Sequence, residues 1–339
     1  MIAQLPAIDN FWLLLAIKLV AIGVLIPAVS IPIVLAELKI SAHMQSRIGP
    51  YFAGGRFGWA QPIADALKFI QKEDIIPAEA DRAVFRIAPA VVLLASLALF
   101  VVIPFGPGLI IRDLDLGVFY ALAISSVGTI GVLMAGWSSA NKYSLMGGLR
   151  AAGQLIAYEL PLVLAVVGVV IQAGTLSMVG IVEAQAENVM TVGPLSLPIP
   201  YVIPQFVGFA IFLVAILAEL IRIPFDMPVA ESELVMGYLT EYSGFRFLFF
   251  FLGEYANLFS LSAIAATLFL GGYHAPFLDP IFGPLILFAK IGLLVFLLIW
   301  FRWTWPRLRE DQLQRLAWKW LIPLALANIA VTATLKVVL

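Results

Sequence analysis

An all-α integral membrane protein is what this sequence predicts, with eight transmembrane helices and an amphipathic interfacial helix in the first cytoplasmic loop. Three observations carry that expectation. Of the 339 residues, 62% are hydrophobic and only 12% are charged, where a soluble domain carries roughly a quarter. Apolar runs of about 20 residues, the length that crosses a bilayer core, recur along the chain. The remaining charges gather in the connections between those runs. A spanning segment has to satisfy its own backbone hydrogen bonds, so each run is expected to be helical. Neither an internal repeat nor a soluble stretch interrupts the pattern, and 1–339 reads as one polytopic membrane domain.

The first run, 11–36, follows MIAQLPAIDNFW, which lacks the basic start and small-residue cleavage site of a signal peptide. It is expected to stay as the first membrane helix. The others fall at 87–105, 118–137, 154–174, 204–224, 247–271, 284–303 and 319–338. Pro27, Pro32 and Pro161 lie in or near these runs and are expected to kink them. In the long connection 37–86, GP and GG pairs mark turns. After Pro62, Ile63, Ala66, Leu67 and Ile70 share one helical face while Asp65, Lys68 and Lys72 share the other. That pattern predicts a short helix in the membrane interface. Tyr51, Phe52, Phe57 and Trp59 stand close by, as walls for a flat, oily channel. Residues 138–161 form a further unusual connection, in which Tyr143, Arg150 and Gln154 lead toward Glu159. The last connection is basic and carries Trp303, Trp305 and Trp318, the residue types that anchor a chain at a membrane surface.

Charge sets the orientation. Connections after the first, third, fifth and seventh runs hold 16 of the 20 lysines and arginines. The opposite side holds Arg112 and Lys336, and Lys18 and Lys290 lie within runs. The positive-inside rule therefore places the cation-rich side in the cytoplasm and both termini outside.

On that side, residues 226–245 read DMPVAESELVMGYLTEYSGF and gather Asp226, Glu231, Glu233 and Glu241. Glu159, Glu219 and Glu254 fall on the adjoining runs, each within about two turns of the cytoplasmic end, on the order of 10 Å. Ionisable groups at that depth face a bundle interior or a watery cavity and mark ion or proton paths. Crowded carboxylates in such a pocket share protons and titrate as a group. Arg222 stands three residues after Glu219 and four before Asp226, so a helix would let it pair with either.

Composition also excludes chemistry. The chain has no cysteine and two histidines, His43 and His274, so it offers no thiolates for an iron–sulfur cluster and a poor set for zinc or haem. A net charge of −1 does not suit a nucleic-acid partner. Electrons would have to come from another subunit.

QSRIGP, AQPIADALKF and KED within Glu37–Pro77 resemble the quinone-site membrane subunit of respiratory complex I, the H or chain 1 family. The resemblance continues through GWSSANKYSLMGGLRAA, AELIRIPFDMPVAESELVMGYLTEYSGFRF, FFLGEY, LFLGGY and PRLREDQLQRLAWKWLIPLAL, over nearly the whole chain. It implies a subunit of a proton-pumping NADH:quinone oxidoreductase in the bacterial inner (plasma) membrane, with quinone as substrate and no metal, haem, flavin or iron–sulfur cluster of its own. Iron–sulfur subunits of the peripheral arm, small and antiporter-like membrane subunits and lipid are its implied partners. Carried over by motif, Arg47, Asp65, Lys68 and Arg302 belong to the quinone-tunnel region. Glu37, Glu159, Glu219, Arg222, Asp226, Glu231, Glu233, Glu241 and Glu254 belong to an acidic link between quinone and pumps. No residue is expected to be catalytic in this chain alone. Leu38, Ile221 and Val229 depart from the family pattern. At Val229 an acid of the link is missing, so either Glu231 takes its role or the path is rerouted. Two other readings exist: an anchor of a related hydrogenase or formate hydrogenlyase, and a stand-alone cation or proton transporter.

Overall fold

The structure, a computed structural model, describes residues 11–187, 189–192, 195–275 and 280–338. Its helices are α1 (Phe11–Met44), α2 (Gln61–Gln71), α3 (Arg82–Leu99), α4 (Gly117–Ser138), α5 (Lys142–Ala173), α6 (Met178–Glu187), α7 (Phe206–Glu219), α8 (Glu231–Leu234), α9 (Gly244–Phe269), α10 (Gly283–Thr304), α11 (Glu310–Leu316) and α12 (Ile322–Val338). A π-helical turn at Ala317–Leu321 joins the last two into one rod. Among the described residues, seven helical segments are long and apolar enough to cross a membrane. The molecule is an all-α integral membrane protein. One short exception was not foreseen: strands β1 (Val189–Val192) and β2 (Leu195–Pro198) pair as an antiparallel hairpin.

Several helices outrun their apolar cores. Helix α1 continues to Met44, carrying Glu37 and Lys39 on the same rod as the membrane run. Helix α5 begins at Lys142, so most of the connection expected at 138–161 is helix, and Asn141 caps it by accepting from the Tyr143 amide at 2.8 Å. Asp81 caps α3 in the same way. Both α1 and α5 run on through their prolines.

The run expected at 204–224 behaves differently. It is helical only over the 14 residues Phe206–Glu219, about 21 Å at 1.5 Å per residue, against a hydrocarbon core of about 30 Å. Leu220 ends the helix, Ile221 takes a φ of +52°, and Pro224 removes a backbone donor. Irregular backbone at membrane depth has to be wrapped by protein, and this segment is. Leu220 and Phe225 are buried, and Phe225 packs on Tyr158 with ring centroids 5.0 Å apart.

Helix α9 is the axis of the bundle, packed against α1, α2, α3, α6, α7 and α10. From Leu258 to Phe269 every residue is buried. Ser260, Ser262 and Thr267 in that stretch donate back to carbonyls four residues earlier at 2.7–2.8 Å, so their hydroxyls are satisfied without leaving the helix. Its far end is closed by a cation. Lys290 of α10 donates to the carbonyl oxygens of Leu270, Gly272 and His274 at 2.6, 2.7 and 2.6 Å. A lysine within an apolar run is thereby a helix C-cap. Lys290→Met is expected to lower stability by about 2 kcal/mol, since carbonyls bonded to a charged donor lose it together. The thermal midpoint of the solubilised protein measures this.

Helix α2 forms where its pattern predicts. Ile63, Leu67 and Ile70 are exposed, while Phe69 stacks on Phe247 of α9 with centroids 5.2 Å apart. The outward apolar edge suits a helix bedded in lipid headgroups.

Candidate functional site

Four elements converge at the cation-rich end on one buried carboxylate. Glu37 of α1 is 5% exposed. Its Oε2 accepts from Arg222 Nη1 at 3.1 Å and from the Tyr255 hydroxyl at 2.9 Å, and its Oε1 accepts from Arg302 Nη1. Arg222 also donates through Nη2 to Glu254 Oε1 at 3.0 Å, and its guanidinium lies over the Tyr255 ring at 5.1 Å. Two cations thus share two anions. Glu37 and Arg222 are enclosed, whereas Glu254 and Arg302 are partly open, with side chains 40% and 31% exposed. Such a group is buried on one side and wet on the other. Breaking one of its pairs leaves uncompensated charge in a low-dielectric setting.

The pairing of Arg222 with Glu219 or Asp226, anticipated from their spacing, is not formed. The helix ends at Glu219, so the i,i+3 geometry is lost, and the turn through Ile221 aims Arg222 at α1 and α9 instead. Glu219 is the last residue of α7. Ser126 of α4 donates to Glu159. Asp226 turns the other way and accepts from Arg307 at 2.7 Å.

The remaining acids are held singly. Glu233 accepts from Arg150 at 2.6 Å, and this hydrogen bond and cation hold it below the usual carboxylate range. Glu241 accepts from Asn141 Nδ2 at 2.5 Å. Glu231, in the first turn of α8, is exposed. Among the acids anticipated as one link, Glu37 and Glu254 share Arg222, Glu37 also bonds Arg302, Asp226 pairs with Arg307, and Glu233 pairs with Arg150. Arg302, expected in the tunnel region, is bonded to Glu37. Of the residues expected in the tunnel region, Arg47 is exposed beyond α1 and bonds Gln45 at 2.7 Å. Asp65 and Lys68 are 4.0 Å apart on α2.

An aromatic row joins α2 to the buried group. Phe69 lies 6.3 Å from Phe251, and Phe251 lies 4.7 Å from Tyr255, whose hydroxyl reaches Glu37. Neither Phe251 nor Tyr255 was singled out from the sequence. Their spacing of four on one helix face next to Glu254 was the available signal. Beneath Glu37, an apolar cleft of about 280 Å³ runs between α1, α9 and α10, lined by Ile33, Ala36, Ile40, Phe259, Phe288 and Ile299 among others. Among the described residues, no cluster of three or more His, Asp or Glu side chains is arranged to hold a metal ion.

Burial raises the pKa of Asp226 above the usual carboxylate value, and the Arg307 guanidinium opposes that rise without cancelling it. A carboxyl raised on folding binds its proton more tightly in the folded state. Its contribution to stability therefore falls as pH rises from the unfolded pKa, about 3.9, toward the folded one. Arg307→Gln removes the opposing cation and should carry that window to higher pH. Infrared titration of the Asp226 carboxyl, identified by its loss in Asp226→Asn, reads the shift.

A family model described as NADH dehydrogenase matches residues 17–333. The H subunit of the NADH-quinone oxidoreductase of Bacillus mycoides is 49% identical over 304 residues, covering 89% of this chain and 88% of that one. The proteins of the same name from Bacillus thuringiensis and Bacillus cereus match to the same extent.

Proposed function

From the premise that the chain belongs to the NADH dehydrogenase family, we propose that it is the quinone-site membrane subunit of a complex I-like NADH:quinone oxidoreductase. In this reading it sits in a bacterial plasma membrane with the cation-rich end in the cytoplasm. Iron–sulfur subunits dock on that end, and small and antiporter-like membrane subunits lie beside it. The chain supplies the quinone's way in and the first charged groups to respond when the quinone is reduced.

The row Phe69–Phe251–Tyr255 leading to Glu37 is the observation that carries the reading. It sets apolar ring faces, surfaces that suit a flat ring system, between α2 and a carboxylate held by two arginines and a tyrosine. Reduction adds charge at the headgroup, and protons must follow. A group of two acids and two arginines sharing bonds responds to such a change by exchanging partners and protons. Arg47, Asp65 and Lys68 would act on the quinone's approach. Glu159, Glu219, Asp226, Glu231, Glu233 and Glu241 would pass the change toward the pumps. The absence of an acid at Val229 leaves Asp226 and Glu231 as the next carboxyls along the loop.

Mild purification through a tag on this chain, followed by mass spectrometry, tests the reading. Iron–sulfur and antiporter-like subunits should accompany it, with flavin- and NADH-binding subunits if NADH is the donor. Recovery of the chain alone, transporting protons after reconstitution, would overturn it.

A further inference from the structure

The break after α7 contains a device that the acidic link does not account for. Gln154 of α5 is fully buried. Its side-chain amide donates to the carbonyl oxygens of Ala218 at 2.8 Å and Phe225 at 2.7 Å. Those two carbonyls stand at the two ends of the irregular segment, so one side chain closes the segment into a ring. Arg222 lies within the ring, at the point from which it reaches Glu37 and Glu254. Two buried polar atoms here have no partner among the described residues: Gln154 Oε1 and Arg222 Nε. Both belong to the clamp and its captive. Buried polar atoms in folded proteins are nearly always bonded, and where protein groups do not serve, internal water does.

We propose that Gln154 is the positioning residue for Arg222, and that the ring it closes holds internal water bonded to Gln154 Oε1 and Arg222 Nε. The inference rests on the quinone-site reading above and adds the residue that sets the geometry of its charged centre. The two amide hydrogens fix the ring, and the ring fixes the guanidinium. The water satisfies what the clamp leaves over, between Glu219 on one side of the break and the Glu37–Glu254 group on the other. The ionisable residues of the packed elements are Glu219, Arg222 and Asp226 on and beside the break and Lys142, Tyr143, Arg150, Tyr158 and Glu159 on α5.

Two variants of the assembled complex separate the parts of this arrangement. Gln154→Met keeps the length and removes donor and acceptor alike. Quinone reduction by the purified complex should fall at least about tenfold at every pH, as displacement of a charged centre by an ångström costs a rate of that order or more. Gln154→Glu keeps an acceptor and offers a hydrogen only while protonated. Its rate should lie nearer wild type at low pH and fall as pH rises, a profile that a purely space-filling role would not produce. If the methionine variant does not assemble, the glutamate profile and a high-resolution map of the wild-type complex decide. Density within hydrogen-bonding distance of both Gln154 Oε1 and Arg222 Nε supports the proposal. A wild-type complex that reduces quinone but shows no such density, or a Gln154→Glu variant that shares the wild-type pH profile, would overturn it. A wild-type complex with no quinone activity would instead count against the parent reading.

Discussion

Arg222→Met is expected to destabilise the folded protein by about 3–5 kcal/mol, the usual cost of removing one partner from a buried ion pair, and to abolish quinone reduction. Arg222 is the largest fully buried side chain among the described residues. It bonds Glu37 and Glu254 at once, and methionine leaves both carboxylates short of a cation. Glu37 retains Arg302 and Tyr255, whereas Glu254 loses its salt bridge altogether. Glu254→Gln should cost much less, on the order of 1 kcal/mol, because a half-open carboxylate is screened by water. The comparison is made by thermal denaturation of the two solubilised variants beside the parent. Equal losses would mean that the two pairs are equally exposed and that Arg222 is not enclosed.

Gly237→Ala should be nearly as damaging, at about 3 kcal/mol, for a reason unrelated to charge. Gly237 has a φ of +55°, where an L side chain is strained. A Cβ there would overlap the carbonyl oxygen of Pro228. On the other side α5 presses in with Gly147, whose own Cβ would stand 2.7 Å from Gly237 Cα. Strain of this kind costs about 1–2 kcal/mol and overpacking about 1–3 kcal/mol. Gly55→Ala is the control, with φ +90° and open space around it, so it bears the strain alone. The alanine at Gly237 should also expose residues 226–243 to limited proteolysis and release the Glu233–Arg150 pair. The control should do neither.

Which parts of this were legible in the sequence depends on how local the cause is. Length and apolarity gave the long helices, and the period of Ile63, Leu67 and Ile70 gave α2, because those signals lie within one element. The early stop of α7 was not legible. Leu220 and Ile221 continue the apolar run, and only Pro224 hints at an end, several residues late. The partners of Arg222 were misjudged for the same reason. Spacing within a run favours neighbours at three and four residues, whereas Glu37 is 185 residues away and is reached only once α1 and α9 have packed. Gln154 stood out in the sequence only as a polar residue leading toward Glu159. Its role exists only when the two carbonyls it binds are brought together.

The short α7 also bears on how the chain is made. Newly inserted in lipid and before α1, α5 and α9 have gathered round it, the segment 220–225 has no wrapping. Its unpaired amides and carbonyls would each cost several kcal/mol there, so the nascent segment is better served by continuing the helix or lying at the surface. The bent form is therefore expected to arise with tertiary assembly, when Glu37 is at hand to receive Arg222. The charged centre is complete only once the bundle around it is.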